Sequence, residues 1–115
     1  TPFFFREAGA DLVFRVELDA QHCNGGGTAH GGFLATLADL VLGYNINQRI
    51  PKQWRIATAN LSIQYLTPAQ PGQWIEGKAD RVKIGKRLCH ASGTLDAEGL
   101  PIIAMHATFA VLSHA

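Results

Sequence analysis

Asp39 stands in a segment that is otherwise almost wholly apolar: between Phe33 and Tyr44 the only polar residues are Thr36 and Asp39. A carboxylate buried without partners costs several kcal/mol, so a sequence keeps one there only if it is paired or used. Pairing would fall to Arg49 or Arg55, or to a hydrogen bond across an interface. Use would mean chemistry at the carboxylate itself. Just upstream, His30-Gly31-Gly32 marks the start of the same segment. If that segment is a helix, its first N–H groups lack internal partners and carry the positive end of the macrodipole. Glycines there let another molecule approach the backbone closely. Such a site suits a carbonyl oxygen that becomes negative during attack, a candidate oxyanion hole. The glycines from Gly25 to Gly32 also suit a flexible loop that needs positive φ angles.

Several elements must position these groups. Residues 11–22 alternate, with Leu12, Phe14, Val16 and Leu18 on one side and Asp11, Arg15, Glu17 and Asp19 on the other. That is a half-buried strand. Gly25-Gly26-Gly27 breaks it. Residues 31–50 read as a helix, being long, rich in Leu and Ala and free of period-2 alternation, and Pro51 stops it. A helix apolar all round must be covered on all sides. Phe33, Leu37, Leu40 and Tyr44 are therefore expected in the core, though some could line a pocket. Strands follow at 57–65, 74–82, 88–95 and 102–112, separated by turns at 68–72 and 96–99 and a break at Gly85. Short connections imply antiparallel neighbours. The expected fold is α+β: one strand, one central helix, then four strands of a long antiparallel sheet wrapped around that helix.

The 115 residues read as one domain, 1–115, large enough for a real core and too small for two. Apolar residues make up 47% and charged ones 17%, the composition of a compact globular protein. A formal net charge of +1 gives no reason to expect nucleic acid. No apolar run approaches the ~20 residues of a membrane span, and Thr1-Pro2-Phe3-Phe4-Phe5-Arg6 does not read as a signal peptide. With only Cys23 and Cys89, reduced thiols in a cytoplasm are the expectation. His22 and Cys23 are adjacent on a strand and point to opposite faces, so they make no simple nucleophile–base pair. Nor do His22, Cys23 and His30 follow a recognised zinc spacing, and no metal is expected. His90, His106 and His114 show no partner pattern.

Asn24, Gly27, His30-Gly31-Gly32 and Asp39 together spell N-x-x-G-x-x-H-G-G-x-x-x-x-x-x-D. This pattern, opening a buried helix, resembles the hotdog-fold acyl-CoA thioesterases of the phenylacetic-acid-pathway and 4-hydroxybenzoyl-CoA type. The resemblance runs from about Asp11 to the C-terminus. It implies that the Gly31 N–H polarises the thioester carbonyl and that Asp39 is general base on water, or nucleophile through an anhydride. Asn24 would orient the carbonyl or the water, and His30 would help fix the loop. Thr58 matches the Ser or Thr that assists the acid from the second strand, although alternation groups it with Asn60 and Ser62 on the polar side. A thiolate leaves readily, so no strong general acid is needed. Arg81, Lys83, Lys86 and Arg87 put four cations into seven residues, which is either a solvated hairpin or a match for the phosphates of coenzyme A. Coenzyme A would arrive as part of the substrate, with no separate cofactor. Two other activities share the fold: acyl-CoA binding without turnover, which loss of Asp39 would have favoured, and hydration or dehydration of an enoyl or hydroxyacyl thioester, which pairs a His with an acid.

Helix geometry adds a statement about assembly. Gly31 and Asp39 are eight residues apart, or ~12 Å along a helix at ~1.5 Å per residue. A base and an oxyanion donor serving one carbonyl must both come within a few Å of it. Two antiparallel copies across a two-fold axis would bring Gly31 of one chain beside Asp39 of the other. The resemblance implies the same homodimer with shared active sites, often paired further into a tetramer.

Overall fold

The computed structural model describes residues 2–115. Its strands are β1 (Phe3–Ala8), β2 (Asp11–Glu17), β3 (Arg55–Tyr65), β4 (Trp74–Lys83), β5 (Leu88–Ala97) and β6 (Leu100–Ser113). The single α-helix, α1, spans Gly31–Asn47, and a 3-10 turn covers Ala20–His22. All six strands join one antiparallel sheet in the order β1-β2-β4-β5-β6-β3, with α1 packed on one face. The α+β arrangement expected from the sequence is present.

Three departures from the expected elements have local causes. β1 was not anticipated, because Phe3-Phe4-Phe5 lacks alternation; Gly9, at φ 65, turns the chain so that it pairs with β2. β2 ends at Glu17 and not near His22, because the Asp19 N–H donates to His22 Nδ1 (3.1 Å) and closes the 3-10 turn. β3 lies beside β6 at the sheet edge, away from β4. Its exit segment crosses the end of the sheet, where the Leu66 N–H donates to the Ile102 carbonyl (2.9 Å) and the Gly72 N–H to the Leu18 carbonyl (2.8 Å).

α1 is covered on one face only. Leu34, Leu37, Ala38, Val41, Leu42, Asn45 and Ile46 are buried against the sheet. Leu40 (37% exposed) and Tyr44 (50% exposed) stand on the exposed crest flanking that face, and Phe33 is partly buried. The expectation that Leu40 and Tyr44 lie in the core is corrected here: one sheet face reaches only one side of a helix. Asn45 is fully buried, and its sequence surroundings carry no sign of its role. Its Oδ1 accepts the Leu12 N–H (2.9 Å), and its Nδ2 donates to the carbonyls of Leu12 (3.0 Å) and Val41 (2.8 Å). β2 and β4 stop pairing at Phe14↔Gly77, so Asn45 supplies the partners that Leu12 lacks on that side.

Candidate active site

The glycine loop is shaped by Asn24. Its Oδ1 accepts the N–H of Gly26 (2.9 Å) and of Thr28 (3.4 Å), while its backbone N–H donates to the Thr28 carbonyl (2.8 Å). Gly27 sits at φ 81, where a side chain would be strained. The Asn24 oxygen therefore holds the loop, and no hydrogen bond joins Asn24 to Asp39 among the described residues. His30 is the exposed N-cap of α1. Its role is carried by the backbone: its N–H donates to the His22 carbonyl (2.8 Å) and its carbonyl accepts the Leu34 N–H (3.1 Å). The His22 ring stacks on Phe33 at 4.0 Å and braces the same turn. Gly31 follows as the first helical residue, with an N–H that has no intrahelical partner.

Two contacts lay α1 antiparallel along β3. The Tyr65 hydroxyl donates to the Gly31 carbonyl (2.7 Å), and the Thr58 hydroxyl donates to Asp39 Oδ1 (2.7 Å). A Cβ on Gly31 would lie 3.1 Å from the Tyr65 oxygen, so the ring and the glycine fit together. In the sequence Tyr65 carries no signal beyond its place at the end of an alternating strand. Thr58 reaches Asp39 despite its polar-side phase because β3 shifts register against β6 between Thr58 and Asn60. Such a bulge breaks the period-2 rule locally and re-aims the side chain.

Asp39 is half-buried and has no ion pair among the described residues. Arg49 is committed elsewhere, to the Asp11 carboxylate and the Asn45 carbonyl. Arg55 donates to the carbonyls of Lys52, Gln53 and Trp54. The structural ion pair considered for Asp39 is thus not formed. Instead Asp39 lines an open pocket of about 330 Å³ with Thr58, Gly43, Asn47 and Phe109 among its walls. A carboxylate oriented by one hydroxyl and open to a pocket can take a proton from water or attack a carbonyl. No group of three His, Cys, Asp or Glu side chains that could hold a metal occurs among the described residues.

Arg81, Lys83, Lys86 and Arg87 are exposed on the hairpin joining β4 to β5, and none forms an ion pair among the described residues. The hairpin is tied to the end of β6: the Arg87 carbonyl accepts the Val111 N–H (2.8 Å), and His114 Nε2 bonds the Lys86 carbonyl (2.7 Å). Thr58 pairs with Phe109, and Phe109 with Cys89. Two strand spacings, about 10 Å, therefore separate Thr58 from the base of the basic hairpin.

The family model of the thioesterase superfamily matches residues 26–103, a span that contains Gly31, Asp39 and Thr58. The chain belongs to the thioesterase superfamily. An esterase candidate of Pseudomonas aeruginosa is 43% identical over 96 residues, covering 82% of this chain and 71% of that protein. Mouse acyl-coenzyme A thioesterase 13 is 32% identical over 83 residues, covering 70% of this chain and 57% of its own length. Among solved structures, a variant of the phenylacetic acid degradation protein PaaI from Thermus thermophilus superposes with a TM-score of 0.84 at 27% identity. That match covers 96% of this chain and 93% of the other. The fold of this superfamily member is the hotdog fold: one helix held by a long antiparallel sheet. No helix among its described residues is long and apolar enough to cross a membrane.

Proposed function

We propose that this superfamily member hydrolyses acyl-CoA thioesters to a carboxylic acid and free coenzyme A. The observation that carries the reading is Asp39: half-buried, without an ion pair among the described residues, aligned by Thr58 and facing a pocket. As general base, Asp39 takes a proton from water while the water oxygen bonds to the carbonyl carbon. The carbonyl oxygen becomes an oxyanion opposite the Gly31 N–H of a second chain. Collapse re-forms the C=O bond, breaks the C–S bond and expels the thiolate, to which the proton held by Asp39 passes. Direct attack by Asp39 would pass through an anhydride that water then opens; in single-turnover hydrolysis in labelled water, label found in the Asp39 carboxylate marks that route, opened at the Asp39 carbonyl. No resident cofactor takes part. Release of free thiol from a panel of acyl-CoAs, beside absorbance of an enoyl product, tests the reading. Binding without thiol release, or enoyl chemistry instead of it, would overturn it.

A shared site needs a dimer, and β3 offers the surface for one. It pairs with β6 on one side, and its other edge is open along an 11-residue strand. Open edges of this length are natural places for a second copy to continue the sheet. Pairing of such dimers would give a tetramer, in a cytoplasmic setting.

Two expected results follow. Thr58→Val keeps the side chain's shape but removes the donor to Asp39, so kcat should fall about tenfold to a hundredfold, the scale of one hydrogen bond to a charged group. Steady-state kinetics beside an unchanged melting temperature would check it. Replacing Lys86 and Arg87 together with Ala should raise KM for CoA esters about tenfold at near-constant kcat, because phosphate contacts are uniform binding. On a pantetheine thioester the increase should vanish. Equal losses on both substrates would show that the hairpin does not read the nucleotide end.

A further inference from the structure

We infer that the acyl group crosses the exposed crest of α1 into a second cavity on its other flank, and that this cavity selects neutral, apolar acyl groups of about six to ten carbons. The inference rests on the thioesterase reading and specifies its substrate class. The cavity holds about 340 Å³ between α1 and the strands β1, β2, β4 and β5. Phe5, Phe14, Leu37, Val41, Ile75 and Leu95 are among its walls, and no charged side chain lines it among the described residues. Leu40 and Tyr44 line both this cavity and the pocket of Asp39 and Thr58. They are the shared boundary between apolar space and the carboxylate, which accounts for two large apolar side chains left uncovered on the crest. Ring contacts continue from that boundary along the cavity wall to the edge strand: Tyr44 to Phe14 at 5.7 Å, then Phe14 to the exposed Phe5 at 6.0 Å.

Size and polarity set the class. At roughly 30 Å³ for each water-sized group, the volume takes about ten methylene-sized groups when filled. Shorter acyl groups leave the aromatic wall wet and lose up to about fourfold in binding per missing methylene. A second carboxylate on the acyl group would be stripped of water with no cationic side chain among the described walls, so dicarboxylic acyl groups are rejected.

The test measures kcat/KM along straight-chain acyl-CoAs from acetyl to palmitoyl, with succinyl-CoA against butyryl-CoA, and affinity for the octyl-CoA thioether against free coenzyme A. Octanoyl should be at or near the optimum, succinyl at least tenfold below butyryl, and the thioether at least tenfold tighter than coenzyme A. Leu40→Trp, at an exposed position that should not disturb folding, narrows the boundary and should cut the octanoyl-to-acetyl ratio at least tenfold. Phe14→Ala widens the wall and should move the optimum to longer chains. A flat length profile with brisk hydrolysis overturns the cavity assignment and leaves the thioesterase reading standing. So does a length profile that neither variant changes, including the case in which Leu40→Trp only dissociates the dimer. Absence of hydrolysis with the octyl preference intact does the reverse: the cavity stands and the activity falls.

Discussion

Asp39→Asn is expected to lower kcat by at least about 10²-fold, the lower end of general-base contributions. The substitution keeps the side chain's size, and its amide oxygen can still accept the Thr58 hydroxyl, so the local geometry should persist. What is lost is a group able to accept a proton or attack a carbonyl. Folding should be spared, since Asp39 has no ion pair among the described residues whose loss would leave a buried charge unpaired. Affinity for a non-hydrolysable octyl-CoA thioether should therefore stay near the wild-type value while turnover collapses. Near wild-type hydrolysis by the variant would remove Asp39 from the mechanism.

The other large effect is recovery of activity from two dead variants. Asp39→Asn keeps the oxyanion donor and lacks the base; Gly31→Pro keeps the base and lacks the N–H. Proline is tolerated at a first helical position. His30, at φ −61 and ψ 133, already has the extended backbone that a residue before proline requires. A Cβ at position 31 meets the Tyr65 oxygen at 3.1 Å, so that exposed ring must give by a few tenths of an ångström. In a mixed dimer Gly31 of the first variant faces Asp39 of the second, restoring one site of two. Random reassociation makes half the dimers mixed, so about a quarter of wild-type activity should return under two-fold pairing. Sedimentation and mass-tagged subunits would verify exchange. If exchanged mixtures stay inactive, the site is complete within one chain, and the ~12 Å helical separation of Gly31 from Asp39 must be bridged another way.

Much of this site could be read from one short stretch because its parts are local. The glycine loop, the helix start and the carboxylate occupy residues 24–39, and the pattern of residue types there states both the helix and its two reactive groups. Alternation along β2 and β3 and the turn residues between the later strands carry the α+β class in the same way, since period and punctuation are properties of neighbours in sequence. Register is not such a property. Thr58 faces Asp39 only because β3 slips against β6 between Thr58 and Asn60, a choice made by pairing between residues about 50 apart. The partner of Arg49 is Asp11, so a contact that spans 38 positions leaves Asp39 without an ion pair among the described residues. Asn45 is a polar residue in an apolar helix, as Asp39 is. One completes the backbone of Leu12 and the other faces a pocket, and nothing in their sequence surroundings tells them apart. The sequence by itself determined which residues could do chemistry and what elements would carry them. Tertiary structure alone decided which of them meet, because a side chain's partner depends on strand order, register and the covered face of the helix, all of which are set by contacts distant in the chain.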